Sequence, residues 1–225
     1  MHRSDHLHTD THIETAPDTQ GRTIRWAGHY DLVVKVLTLG KERKLRAETI
    51  QLAAVSKGET VLDVGCGTGT LTLLAKAEAG ETGKVYGIDA SPEMIAVARQ
   101  KAVQKRQAVE FQTGVIEALP FSDKSVDVVL CSMMAHHLPP DLKQRGLAEI
   151  YRVLKPVGRL VVVDMKRPET LIQRFGILTL AHHELKTDVR DLLPIMEKLG
   201  FVSIQSGSMS WKALGFVKGI RTNSV

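Results

Sequence analysis

Apolar positions along this chain change their period in a regular way. Thr60–Gly65, Lys84–Asp89, Val109–Gln112, Val126–Ser132 and Arg159–Met165 are short runs dense in apolar residues, the pattern of strands covered on both faces. Between them the spacing turns helical: Thr70–Ala79, the stretch from Ser91 to Lys105, and about Pro140 to Leu154, which closes ahead of Lys155-Pro156. Ser91-Pro92-Glu93 offers an N-cap, a proline suited to the first helical position, and an acid that complements the positive end of the helix dipole. Upstream, Leu32, Val33, Val36, Leu37, Leu45, Ile50, Ala53 and Ala54 recur at helical spacing across Arg25–Ser56, and Gly40 divides them into two helices. Downstream the rhythm shifts to helical stretches at 168–185 and 188–199. Two consecutive strands follow, Phe201–Gln205 and Trp211–Lys218, which predict an antiparallel edge hairpin.

Strand–helix alternation with near-continuous apolar strands predicts an α/β architecture in which helices cover both faces of a mostly parallel sheet. Residues 1–20 are polar and rich in His, Thr and Asp, with too little apolar surface to fold, so they read as a disordered tail. Its histidines at 2, 6, 8 and 12 read as solvated residues of that tail. The remainder divides into helices over 21–56 and one domain over 57–225, with an insert at about 168–199.

Composition narrows the class without choosing a function. With 225 residues, 43% hydrophobic and 24% charged, the chain matches an average soluble globular protein. No stretch free of Asp, Glu, Lys and Arg exceeds 13 residues, against roughly 20 for a membrane span. The N-terminus has no apolar core of the secretory type. Cys66 and Cys131 lie 65 positions apart with no metal-ligand spacing around them, which predicts free thiols, no metal and a cytoplasmic location. Residues 1–20 carry one basic and four acidic side chains, so the net charge of +5 understates the surplus on the rest of the chain by three. That surplus favours anionic partners, and peripheral membrane contact through a basic surface is one expectation. Nucleic acid is disfavoured, because no run of five or six like charges occurs.

Val61-Leu62-Asp63-Val64-Gly65-Cys66-Gly67-Thr68-Gly69 places three glycines at alternate positions where a strand gives way to a helix. Such a loop lets the backbone approach a ligand and aims amides at it. Asp89, 20 residues beyond Gly69, ends the next strand, where an acid in a nucleotide-binding βαβ unit accepts hydrogen bonds from ribose. The loop reads GxGxG with Thr70 in place of the glycine that close packing against a dinucleotide pyrophosphate needs. It suits a ligand with an amino-acid moiety, and Asp63 is available to a charged amine.

VLDVGCGTG, GIDASPEM, GVIEALPF (114–121), VDVVLCSMMAHHL (126–138) and EIYRVLKPVGRLVVVD (149–164) together resemble the successive motifs of class I S-adenosylmethionine-dependent methyltransferases. The nearest likeness is to the ubiquinone/menaquinone methyltransferase-like group, the type 11 methyltransferase domain. The resemblance covers about residues 57–165, extends to the helical stretch 29–46, and weakens after Arg167. It implies a three-layer, Rossmann-like class I methyltransferase fold, S-adenosyl-L-methionine as cofactor, and residues 21–56 as a helical lid. By that resemblance Gly65, Cys66, Gly67 and Gly69 form the loop beneath the methionine part, and Asp63 joins its amine network. Asp89 would hold the ribose, with Ala90 and Met94 beside the adenine and Ile116 and Glu117 along its border. Ser132 and Met133 would line the pocket, and Tyr30 would close it. Where the group commonly reads GDAE, this chain has Gly114-Val115-Ile116-Glu117. Val115 cannot accept from the adenine amino group through its side chain, a loss of about 1 kcal/mol or somewhat more.

Displacement at an activated methyl asks the protein chiefly to position the nucleophile and exclude water. A general base is needed where the acceptor must lose a proton. His136 and His137, just beyond the fourth strand, are the first candidates, followed by His29 and Tyr30 in the lid stretch. His182-His183 read as the end of a helix, where a positive residue is favourable anyway. Leu171, Ile172, Phe175, Leu178, Thr179 and His182 recur at helical spacing, and a methyltransferase would use such a stripe to roof an apolar, quinone-like or lipid acceptor. Leu130-Cys131-Ser132-Met133 lacks Asn/Asp-Pro-Pro-Tyr, and Cys131 lacks a preceding proline, which excludes the usual routes to adenine, glutamine or cytosine methylation. The reading is therefore methyl transfer to a small-molecule or lipid/quinone-like acceptor by in-line displacement. A non-catalytic S-adenosylmethionine-binding or partner subunit is the alternative that Val115 favours, and binding without turnover would identify it. A nucleic-acid or protein methyltransferase is a further alternative, and a steep loss of substrate affinity with salt would support the nucleic-acid version. An NAD-dependent oxidoreductase is disfavoured by Thr70.

Overall fold

The computed structural model describes residues 16–17, 19–21, 40–167 and 187–223. Within them, seven strands form one sheet in the order β3-β2-β1-β4-β5-β7-β6. These are β1 (Thr60–Val64), β2 (Lys84–Asp89), β3 (Glu110–Thr113), β4 (Val126–Ser132), β5 (Leu154–Met165), β6 (Phe201–Ser208) and β7 (Leu214–Arg221). The first five run parallel, in registers such as Val64 beside Ile88 and Val64 beside Cys131. β7 pairs antiparallel with both β5 and β6, so the edge hairpin inserts its second strand between the first strand and the parallel block. This is the three-layer, Rossmann-like α/β fold, mostly parallel with an antiparallel edge hairpin, that the sequence implies.

Helices α1 (Glu42–Ala53), α2 (Thr70–Ala79), α3 (Pro92–Lys105), α4 (Pro140–Val153) and α5 (Leu193–Leu199) cover the faces. α1 is built into one of the buried clusters: Leu45, Ile50 and Ala53 pack with Val61, Leu71, Val128, Leu130 and Val161. Its C-terminal carbonyls at Ala53 and Ala54 accept from the Arg159 guanidinium, which also grips Glu59 at 2.7 and 2.9 Å. The α3 start follows the sequence signal, with the Ser91 hydroxyl accepting from the Met94 amide at 3.2 Å and Pro92 in the first turn.

Three boundaries depart from the apolar pattern for identifiable reasons. β5 begins at Leu154, five residues before Arg159, because Lys155-Pro156-Val157-Gly158 forms an irregularity within the strand between the β4 partners Val126 and Val128. The last strand is displaced to 214–221, since the turn at 209–213 is closed by Met209 and Leu214 amide bonds to Leu214 and Trp211 carbonyls. The stretch 188–199 divides into a 3-10 turn (Val189–Leu192) and α5, where Pro194 in the first turn of α5 has no amide to continue the earlier ladder. The first upstream helix and the 168–185 stretch lie outside the described residues. Among the described residues no helix is long and apolar enough to cross a membrane.

Candidate active site

Order β2-β1-β4 makes the gap between β1 and β4 the point where the sheet reverses its winding, and the carboxyl ends of the strands open there. The glycine loop leaves β1 at that edge. Gly65 and Cys66 amides donate to the Ile88 carbonyl at 2.8 and 2.9 Å, which folds the loop over the end of β2. Gly65 has φ +71, and a Cβ there would stand 2.4 Å from Met134 Cγ. Both the left-handed backbone and the close approach of the β4 loop therefore demand glycine. Gly69, at φ +74, is the N-cap of α2, and a Cβ there would meet Phe111 at 2.7 Å. These two glycines are filled against protein, so the loop is fixed by packing.

Asp89 closes the loop from the other side. Its Oδ2 accepts from the Gly67 amide at 2.8 Å and its Oδ1 from the Ser91 amide at 2.9 Å. Burial pushes its carboxyl up, and the two amides counter that. Beneath lies Asp63, 1% exposed, accepting from the Thr72 hydroxyl of α2 at 2.6 Å. Burial raises its pKa to about 7, with the Asp89 charge adding to the rise against Thr72 and Arg46. Glu117, after β3, accepts from the Thr19 hydroxyl at 2.8 Å through Oε1, while its buried Oε2 has no partner among the described residues.

On the other side of the reversal, β4 ends at Ser132 and Met133 follows at φ +57, a strained value for a non-glycine residue. A 3-10 turn, Ala135–His137, carries the two histidines. His136 has a side chain 7% exposed, and its Nδ1 lies 2.6 Å from Oδ1 of Asp164, itself 3% exposed at the end of β5. The His136 amide donates to the other Asp164 oxygen at 3.0 Å. His137 lies against His136 with ring centroids 3.9 Å apart and the planes tilted by 47°. A small cavity beside the pair is lined by His136, Lys143, Asp164, Met165, Thr187 and Asp188. Arg190 and Arg167 hold Asp188: although burial raises it, their hydrogen bonds leave its pKa at about 2.

Thus Asp63, the glycine loop, Asp89, Ala90 and Glu117 lie along one half of the sheet edge, and Ser132, Met133, His136 and His137 along the other. Cys66, Met94 and Ile116 are brought to the same place with their side chains turned inward: Cys66 packs with Leu73, Ile95 and Phe111, and Ile116 against α4. Tyr30, His29, His182 and His183 lie outside the described residues. Asp164 and Thr19 escape sequence reasoning. An acid ending the apolar run Val161-Val162-Val163 was the available signal for Asp164; nothing signals Thr19.

The residues suit a ligand rich in hydrogen-bond donors and carrying a cation. Glu117 Oε2, a buried acceptor without a partner among the described residues, calls for a donor. Asp89 adds a carboxylate at the loop, and Asp63 is a buried acid whose ionisation a nearby cation favours.

Residues 61–158 match the family model described as a methyltransferase domain. Demethylmenaquinone methyltransferase of Bacillus licheniformis is 38% identical over 63% of this chain and 60% of its own length. Arsenite methyltransferase of Halobacterium salinarum is 37% identical over 68% of this chain and 40% of its own. The chain spans less than two thirds of the length of these curated relatives. Among solved structures, a SAM dependent methyltransferase from Aquifex aeolicus superposes with a TM-score of 0.64 at 25% identity, over 79% of this chain and 89% of that one.

Proposed function

On the premise that residues 61–158 belong to the methyltransferase-domain family, we propose that this protein is an S-adenosyl-L-methionine-dependent methyltransferase acting on a small, apolar, hydroxyl-bearing ring of the hydroquinone type. The observation that carries the reading is the joining of Gly67 to Asp89 across the loop, one strand away from a buried histidine–carboxylate pair. One half binds and the other handles protons. The relative from Bacillus licheniformis, named for demethylmenaquinone, supports the choice of acceptor.

The cofactor supplies a methyl group already activated on a sulfonium. The chain then has three tasks. Asp89 accepts from ribose hydroxyls while its loop bonds keep it aimed, and Glu117 Oε2 takes a further donor. Gly65, Gly67 and Gly69 let the backbone lie close under the methionine part, with Asp63 answering its amine. Ser132 and Met133 line the pocket, and Ala90 borders the adenine, backed from the core by the buried Met94 and Ile116. In this reading the lid stretch that carries His29 and Tyr30, ahead of α1, and the insert at about 168–199 exclude water from the acceptor. A cytoplasmic location fits the two free, buried cysteines, and basic residues such as Lys212 and Lys218 bring the protein to a lipid surface that holds the acceptor.

The test is a label-partition assay. The protein is incubated with methyl-labelled S-adenosyl-L-methionine and a lysate, and label is followed into organic, aqueous and acid-precipitable fractions. Organic-phase label that Asp89→Ala abolishes is the expected result. Label confined to the aqueous fraction overturns the apolar acceptor, and cofactor binding without transfer favours the non-catalytic reading.

A further inference from the structure

We infer that Arg46, on the inner stripe of α1, binds the carboxylate of the cofactor's amino-acid moiety, the end whose amine Asp63 answers. This rests on the S-adenosyl-L-methionine reading above and supplies the cation that reading lacks.

An amino-acid end carries an ammonium and a carboxylate together. The side chains that hold the glycine loop from below and from the side are both acids, Asp63 on the Thr72 hydroxyl and Asp89 on the Gly67 amide. They attract the ammonium and repel the carboxylate, so the second group needs a cation close by. The partly buried lysines of α2 and α3 are engaged. Lys76 donates to the Glu81 and Gly83 carbonyls at 3.3 and 2.7 Å, and Lys101 to the Thr68 and Thr70 hydroxyls at 2.8 and 3.1 Å. Arg46 is half-buried and forms no hydrogen bond or ion pair among the described residues.

Placement brings this guanidinium to the loop. α1 buries Glu42, Thr49, Ile50 and Ala53. Arg46 lies four residues after Glu42 and three before Thr49, so it shares their face. Asp63 stands on the matching face of β1. Val61, two residues earlier, packs with Leu45, Ile50 and Ala53, whereas Leu62 and Val64 pack into a different cluster.

Heights agree as well. α1 runs against the parallel strands: Glu48 accepts from the Ser210 amide, beyond the carboxyl end of β5, and the Ala53 and Ala54 carbonyls meet Arg159 beside Glu59 at the amino end. From Ala53 back to Arg46 the helix climbs roughly 10 Å. From Glu59 to Asp63 the strand climbs roughly 13 Å. Helical side chains lean toward the helix N-terminus, here toward the glycine loop, which makes up the difference. Burial raises the Asp63 pKa, and the Arg46 charge opposes that rise, as a cation placed here must. A guanidinium is also the side chain whose planar fork matches a carboxylate.

Calorimetric titration of the full chain with a ligand series tests the assignment without turnover. S-adenosylhomocysteine carries both charged groups, its decarboxylated counterpart keeps the amine alone, and 5′-methylthioadenosine lacks both. Arg46→Met is expected to weaken S-adenosylhomocysteine binding roughly 10- to 100-fold and to leave the other two unchanged. Wild type should disfavour the decarboxylated ligand by a similar factor, and Arg46→Lys, which keeps the charge without the fork, should regain part of the loss.

Equal losses on S-adenosylhomocysteine and its decarboxylated counterpart would mean that Arg46 acts only through Asp63, which overturns the inference. Equal losses on all three ligands mark a purely structural role and overturn it too. A loss confined to Lys101→Met moves the carboxylate to Lys101 and has the same consequence. Should Arg46→Met fail to fold, the wild type's own preference decides together with Arg46→Lys, and no preference for the carboxylate-bearing ligand overturns the inference. A wild type that binds none of the three overturns the cofactor reading itself.

Discussion

The two halves of the sheet edge are built from different materials. From β1 to β3 the site is made of backbone: loop amides, left-handed glycines and a carboxylate, Asp89, whose partners are main-chain amides of Gly67 and Ser91. From β4 to β5 it is made of side chains, with His136 held by Asp164 across 28 positions of sequence. A backbone site binds a ligand that is always the same, because amides offer little variety. A side-chain site is tuned to one reaction. This contrast predicts that substitutions on the first half change cofactor affinity, and substitutions on the second change turnover.

The sharpest break of that division is His136→Gln. It is expected to lower kcat by roughly two orders of magnitude or more, the usual contribution of a general base, with the dissociation constant for S-adenosyl-L-methionine unchanged by calorimetric titration. Asp89→Ala should do the reverse. It removes a charged acceptor, each of whose hydrogen bonds is worth about 1.5–3 kcal/mol, so cofactor affinity should fall roughly 100-fold while kcat at saturating cofactor changes little. Glu117→Gln replaces Oε2, a buried oxygen with no partner among the described residues, by an amide that would face the cofactor's donor, and a loss of roughly tenfold in affinity is expected.

A smaller effect separates stability from binding. Asp63 has a pKa raised to about 7 by burial from an ordinary value of 3.8. The native state thus holds a proton that the unfolded chain releases. Stability from this carboxyl is full below pH 4, declines as pH rises through 7, and is constant beyond. Asp63→Asn should flatten that decline in melting temperature between pH 5 and pH 8. The smallest change is Thr19→Val, which removes a single partly buried hydrogen bond to Glu117, worth about 1 kcal/mol. A severalfold weaker cofactor affinity is expected.

The same contrast explains what the sequence reveals. Glycines at 65, 67 and 69 and an acid at 89 announce a backbone site, because positive φ and close approach leave few other residues possible. Strands β2 and β4 are bounded correctly because burial on both faces makes their apolar runs continuous. The β5 start is hidden because a strand irregularity at 155–158 resembles a turn. Asp164 stays silent for a different reason. Its role depends on β5 lying beside β4, a fact of tertiary pairing that no local spacing encodes. Choosing between His136 and His137 needs that same pairing, and so does learning that Cys66 and Ile116 turn into the core.

Mass spectrometry of reduced 2-prenyl-1,4-naphthohydroquinone after incubation with the protein and S-adenosyl-L-methionine tests the central claim most directly. The account predicts a product heavier by one methylene, carrying its new methyl on ring carbon, formed in step with S-adenosylhomocysteine. An unchanged ring, under conditions where the cofactor is bound, would contradict it.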